Sequence, residues 1–435
     1  MRSLRLASLL GVTMLVFGVG AVLSAPAQEV VFTSNQFTPV TEQEWARNTL
    51  LPKFTEETGI RVQFTTENEG PYIDRLLAET KAGKGTIDVT GTLHGIFPVF
   101  IANNAIADMT AVQRRLDARK DRTFFPDLLK VSKMEGIQAF VPWMQATYLV
   151  AARKDALKYF PVGRDPMRMT YDDLLQWGEN IRQATGQRRI GFPAGPRGLY
   201  GRFLHGYAYP SFTGSQVKRF KSPEAVEMWR YLRRLWGVTH PSSFTYEFMA
   251  QPLLLGEAWV AWDHIARILP ALQERPNDFV VLPSPAGPKG RSFLSVIVGL
   301  AILKTADNPD LGERLIEYLT RPSTQVMTAQ GVAFFPVSPE AAKATPTGGL
   351  KVVADGVSAQ ASASDGRTAL LPVGLGARTG EFVPLYVDTF RRIAIQGEDI
   401  PKVLADQGAK LDELYRAMNA PCAPPDPAQR PCVPD

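Results

Sequence analysis

Cysteine is almost missing from this chain. Of 435 residues only Cys422 and Cys432 are cysteines, both in the Pro-rich ending "APCAPPDPAQRPCVPD". Two cysteines without neighbouring histidines do not make a zinc site. There is no HExxH, no other metal-ligand spacing and no defensible Ser/His/Asp order. "GLGARTG", at 374–380, half resembles a nucleotide-binding glycine loop, but no strand leads cleanly into it and no helix follows at once, so it reads as a loop. Long basic runs are absent too. The net charge of +5 falls by two, to +3, if residues 1–27 are removed, because Arg2 and Arg5 are their only charged side chains. That is too weak a field to argue for nucleic acid. Beyond residue 27 no apolar run is long enough to span a bilayer, and no internal repeat is visible. These gaps argue against a metalloenzyme, a nucleotide-dependent enzyme, a serine hydrolase and a nucleic-acid binder.

What is present begins with an export signal. Arg2 and Arg5 form a basic start, "LASLLGVTMLVFGVGAVL" an apolar stretch, and "SAPA" the small residues before Gln28. Cleavage after Ala27 is expected, leaving an exported, periplasmic protein; a retained membrane anchor is the rival reading. In an exported protein Cys422 and Cys432 pair as a disulfide, with free thiols in a disordered tail as the alternative. The tail, 421–435, is expected to lie outside the folded lobes.

A length of 435 residues exceeds one ordinary core and predicts two lobes. "EVVFTS" reads as a strand, and "EQEWARNTLLPKFTEETG" as a helix interrupted by Pro52 and closed by Gly59. Ile60, Val62 and Phe64 then alternate with polar residues, as in a half-buried strand. A second helix ends at Gly83, and "TIDVTGT" is a third strand. The order strand, helix, strand, helix, strand implies a parallel sheet covered on both faces. Later, "TYDDLLQWGENIRQATG" carries a Thr170/Asp173 capping box, and Ser222-Pro223 opens another helix. "EAWVAWDHI" is a strand running into a loop, and the last helix starts at Asp399. "GPRGLYGRFLHGYAYPSFTG" reads as irregular. "FVPWMQATYLVAARKDAL" and "FLSVIVGLAILK" are long apolar runs suited to crossing between lobes.

Taken in order, "LPKFTEETGIRVQF", "GTIDVTGTLHGIFPVFIANNAIADMT", "FVPWMQATYLVAARKDAL", "TYDDLLQWGENIRQ", "LLLGEAWVAWDHI", "GLAILKTADNPDLGERLIEYLTRPSTQVMTAQGVAFFPVSPEA" and "FRRIAIQGEDIPKVLADQGAKLDELYRA" resemble the extracellular solute-binding proteins of ABC importers, in their sugar-binding, maltose-binding-protein-like class. The resemblance covers most of the chain past residue 27. It implies an α/β, two-lobed periplasmic-binding-protein fold, with parallel-rich sheets flanked by helices and a ligand cleft between the lobes. Lobe one would be 28–142 plus 297–335, and lobe two 143–296 plus 336–420. It further implies a monomer that is not an enzyme, has no cofactor, binds a small solute such as a sugar or polyol, and partners with importer permease subunits. Two departures stand out: Trp259 replaces small residues in "GEAWVAW", and His264-Ile265-Ala266 stands where the family often has Gly-x-Trp.

A sugar offers hydroxyls at its edges and C–H groups on its faces, so its site needs acids, amides and flat rings. Candidate ligand-binding residues follow from the positions the resemblance brings to the cleft. Gln36 and Phe37 follow the first strand, Glu69 follows the second, and His94 ends the third. Trp143 and Tyr148 lie at the first crossing, either facing the cleft or packed under the hinge. Tyr200, Arg202, Tyr207 and Tyr209 occupy the aromatic region, where one tyrosine lends a ring; Arg202 and Arg197 could instead meet a phosphate or carboxylate. Trp262 and Asp263 end a strand, the first as stacking platform or core, the second as hydroxyl acceptor or loop cap. Phe335 and Glu381 are late candidates. Two other readings stay open: a polyamine or phosphorylated polyol as ligand of the same fold, and, remotely, a secreted carbohydrate-active enzyme using Glu69 and Asp263 as paired acids.

Overall fold

The computed structural model describes residues 28–37, 39–344 and 346–435. The expected export signal, 1–27, lies outside the described residues. Nine strands carry the architecture, in chain order: β1 (Glu29–Ser34), β2 (Arg61–Thr66), β3 (Val89–Leu93), β4 (Val141–Ala146), β5 (Tyr148–Arg153), β6 (Ile190–Gly191), β7 (Val260–His264), β8 (Phe279–Leu282) and β9 (Val296–Ile302). They form one sheet in the order β2-β1-β3-β9-β4 and a second in the order β8-β5-β7-β6. Helices lie between the strands of both sheets in the chain.

Local sequence explains the first sheet. Helix Leu51–Thr58 stops at Gly59, whose φ of 72° is the left-handed conformation that favours glycine. Its N–H bonds the Thr55 carbonyl at 2.8 Å, and the chain enters β2 two residues later. Pro52 follows directly on a wide turn at Ala46–Leu50 within one continuous helical run from Val40 to Thr58, and such a turn accommodates its missing N–H. β1 runs parallel to both β2 and β3, with Phe32 opposite Phe64 on one side and Val89 on the other. β9 returns antiparallel between β3 and β4. In the second sheet β5 is antiparallel to β8 and β7, and only β6–β7 is parallel. Strands that bring the chain across and back must run against those they join, so the sheets are mixed.

One residue, Thr147, separates β4 in the first sheet from β5 in the second. A later segment lies beside this crossing: Phe335 and Gln145 exchange backbone hydrogen bonds of 2.7 and 3.1 Å. The capping box at Thr170 and Asp173 and the Ser222 and Asp399 caps are all made. The region expected to be irregular is helical instead. Tyr200–Thr213 winds continuously through a wide turn at Leu204–Ala208, which breaks the 3.6-residue period that would have marked it.

In the tail the expected disulfide joins Cys422 and Cys432, but the segment departs from expectation by packing onto the molecule. The Asp426 carboxylate accepts from the backbone N–H groups of Gln216 (2.6 Å) and Lys218 (2.8 Å) and from the Ser215 hydroxyl. Cys432 is fully buried. Among the described residues no helix is long and apolar enough to cross a membrane.

Candidate functional site

Between the two sheets lies a cavity of about 190 Å³, small beside the ~300–1,000 Å³ usual for drug-sized ligands. One wall comes from the strand ends of the first sheet: Asn35, Gln36 and Phe37 after β1, Glu67, Asn68 and Glu69 after β2, and Leu93 at the end of β3, with Glu42 behind. The β1 loop is held from within. The Ser34 hydroxyl donates to the Gly91 carbonyl (2.7 Å) and accepts from the Gln36 N–H, while the Thr66 hydroxyl donates to the Gln36 carbonyl (2.9 Å). Phe37 sits at φ 57°, a conformation disfavoured for a bulky residue and often kept where a side chain must be aimed. Its ring is fixed edge-on by Trp143 and Phe334 at 5.6 and 6.3 Å between centroids.

The facing wall comes from the second sheet and its helices: Tyr148, Leu199, Arg202, His264 and Arg267, closed by Phe334, Val296 and Leu371. The Tyr148 ring lies flat on Trp262, at 4.8 Å and 4°, leaving its edge and hydroxyl for the cavity. Arg267 passes over the Phe248 ring at 4.6 Å and donates to the carbonyls of Arg197 and Glu247. An Arg202 Nη1 lies 3.5 Å from His205 Nε2, and His205 Nδ1 is 3.0 Å from Gln216 Oε1. His264 Nδ1 accepts from the Ala266 N–H, so in the neutral ring the proton is on Nε2.

Burial sets the charges. Glu42 is pushed up to about 8 by burial, against the pull of Arg267. Burial lowers His94 to about 4 and His264 to about 3, and in both an arginine adds to the effect. At neutral pH the site therefore holds neutral histidines and a largely protonated Glu42.

Of the sequence candidates, Gln36, Phe37, Glu69, Tyr148 and Arg202 line this cavity. The others do not. Trp143 is buried beneath Phe37 and Phe32. Trp262 is the underlay of Tyr148, not a surface for ligand. Tyr207 is fully buried, and its hydroxyl accepts from the Tyr148 N–H at 3.0 Å. Asp263 is fully buried as well. Its two carboxylate oxygens accept from the N–H groups of Met249 (3.0 Å) and His264 (2.7 Å), so it caps the wall from behind; burial pushes it up to about 7. His94 is buried as a bridge: its Nε2 accepts from the Leu371 N–H at 3.2 Å, and its Nδ1 lies 3.3 Å from the Ile297 carbonyl. Tyr200 lines a wider outer groove, which Glu69 and Arg202 also border. Glu381 is exposed and paired with Arg378 at 2.7 Å. Arg197 is paired with Glu247 at 2.5 Å.

Phe335 points the other way, into a second cavity of about 340 Å³ behind the crossing strands. The ring at the cleft is Phe334, one residue earlier. Sequence reasoning also missed Glu42 and Arg267. Arg267, in the first turn after β7, could have been found from the polar side of helix Ile265–Glu274. Nothing in the local pattern marks Glu42.

A search of curated proteins returns no match. Among solved structures the chain is similar to maltose-bound MalE3 of T. maritima, at 20% identity over 89% of this chain and 100% of that one, with a TM-score of 0.75. It is similar to UgpB from Mycobacterium tuberculosis in complex with glycerophosphocholine, at 16% identity over 89% and 99% of the two chains and a TM-score of 0.71. A solute-binding protein of an ABC transporter from Thermotoga lettingae TMO, bound with alpha-D-tagatose, gives 16% identity over 89% and 99%, with a TM-score of 0.69. These likenesses establish the two-lobed fold. A family model described as bacterial extracellular solute-binding protein matches residues 49–354, most of the chain. The chain belongs to the bacterial extracellular solute-binding proteins.

Proposed function

We propose that the protein captures a small sugar or polyol in the cleft between its lobes and delivers it, from the periplasm, to the permease subunits of an ABC importer. The observation that carries this reading is the composition of the cavity walls. Amides and carboxylates at the strand ends (Asn35, Gln36, Glu69) face aromatic edges and donors (Tyr148, Phe334, His264) across a space of about 190 Å³. Hydroxyls need the first set and sugar C–H faces the second. The small volume suits one sugar ring better than a long oligosaccharide. The reading divides the chain into two lobes that exchange at Thr147, near Ser295 and near Phe335, and closure about those crossings would bury the ligand.

The reading includes no catalysis. Hydrolysis of a glycoside by paired acids needs them on either side of the bond. Glu42, Glu67 and Glu69 all stand on one wall, and Asp263 is occupied behind the other.

A thermal-shift screen of sugars, polyols, polyamines and glycerophosphodiesters tests the proposal, since a ligand that binds only the folded form raises its apparent stability. A rise in melting temperature with a sugar or polyol is expected. A rise confined to polyamines, or none with any sugar or polyol, would overturn it.

A further inference from the structure

The cleft carries positive charge that the protein leaves unmatched. Arg202 and Arg267 both line it, and among the described residues neither has a carboxylate at ion-pair distance. Other arginines near this surface are matched: Arg75 binds Glu67 at 2.7 Å and Arg197 binds Glu247 at 2.5 Å. Both free guanidiniums are nonetheless held in place, Arg267 by two carbonyls and the Phe248 ring, Arg202 beside the His205 ring. His205 is itself buried and kept neutral, so it supports Arg202 without balancing its charge. Glu42 is the acid whose field reaches Arg267, and burial favours its protonated form at neutral pH. The Tyr148 hydroxyl, which both arginines influence, has no partner among the described residues.

One wall therefore presents three donors with two net charges, while the opposite wall presents the amides and Glu69, which has no partner among the described residues. Fixed, half-buried guanidiniums aimed at a cavity suit an anionic oxygen pair, because charge-assisted, fork-shaped bonds to a carboxylate are stronger than neutral ones. Hydroxyls on the other end of the ligand would then donate to Glu69 and the amide oxygens.

We infer that the solute is an acidic sugar whose carboxylate is held between Arg202 and Arg267 while its hydroxyls face Glu69 and Gln36. This rests on the sugar reading proposed above and names the ligand class within it.

Calorimetry with matched pairs tests it: D-galacturonate against D-galactose, D-glucuronate against D-glucose, and D-glucose 1-phosphate as the phosphate arm. Wild-type protein should bind at least one sugar carboxylate about tenfold or more tighter than its neutral parent, as one added charge-assisted contact supplies. Arg202→Gln should bring that ratio near one, the acid losing about tenfold more affinity than its neutral parent. If Arg202→Gln does not fold, Arg267→Gln and the wild-type ratio decide. A neutral sugar that binds as tightly as its acid overturns the inference and leaves the sugar reading standing. Binding of the phosphate arm alone overturns the carboxylate assignment. Failure of every sugar overturns both.

Discussion

The same crossing strands separate two cavities of opposite character. In front lies the cleft, about 190 Å³; behind lies a space of about 340 Å³ whose lining includes Phe125, Phe293, Val326, Phe335, Leu350 and Val357. Neighbouring residues alternate between them. Thr147, Ser295 and Phe335 face the rear; Tyr148, Val296 and Phe334 face the front, as side chains on extended backbone must. The larger space is the poorer candidate for a hydroxylated solute. Two of its amides are already engaged: Gln360 donates to Thr147 Oγ1 at 3.0 Å, and Gln145 donates to the Pro336 carbonyl at 2.7 Å. Among the described residues the front cavity keeps Glu69 and the Tyr148 hydroxyl without hydrogen-bond partners, and Arg202 and Arg267 without a carboxylate. Unspent hydrogen-bonding capacity, more than volume, distinguishes a site for a polar ligand, because such a ligand gives up its water only where partners replace it.

The largest effect should come from breaking the front wall from behind. Asp263→Ala leaves two buried backbone N–H groups without acceptors, so unfolding in urea should show a loss of roughly 1–3 kcal/mol for each group left bare. A midpoint equal to that of wild type would remove Asp263 as a structural cap. Next comes the neighbouring pair that the crossing divides. Phe334→Leu should weaken binding of the cognate sugar about tenfold, the worth of an aromatic contact, whereas Phe335→Leu should change it less than about twofold. Equal losses in calorimetry would erase the front-to-rear distinction.

A smaller effect follows from burial of Glu42. Its folded value, about 8, lies above its ordinary 4.5. Between those values the folded state holds more protons than the unfolded one, so stability falls as pH rises through the window and stays lower above it. Glu42→Gln removes that titration. It should melt above wild type at about pH 8.5 and show no such gain at about pH 4, where both states are protonated. A constant difference at both pH values would contradict the assignment.

Much of the fold was legible because local chemistry punctuates it. Gly59, the Thr170/Asp173 box, Ser222-Pro223 and Asp399 each mark a helix end that the structure keeps. The site was less legible, for a reason of parity. Phe334 and Phe335 are alike as letters, and which one faces the cleft depends on a register fixed by the Gln145–Phe335 backbone pair. Trp262 and Asp263 were rightly placed at a strand end. Yet Tyr148 lies over the Trp262 ring, and two local N–H groups take the Asp263 carboxylate; neither is visible without the partner segment. Gln36 and Glu69 could be read because they follow strands whose ends border the cleft, whereas Arg202 was placed by the resemblance alone, in a segment that proves to be helical.

The central claim is that ligand occupies the front cavity and leaves the rear one empty. Hydrogen exchange of the unliganded protein, compared with protein saturated by its best-binding sugar, tests this most directly. The account predicts slowed exchange at residues 34–37, 66–70 and 264–267, with helix Gly348–Ala361 of the rear cavity unchanged. Protection confined to that helix and its rear neighbours, with the front loops unaffected, would contradict it.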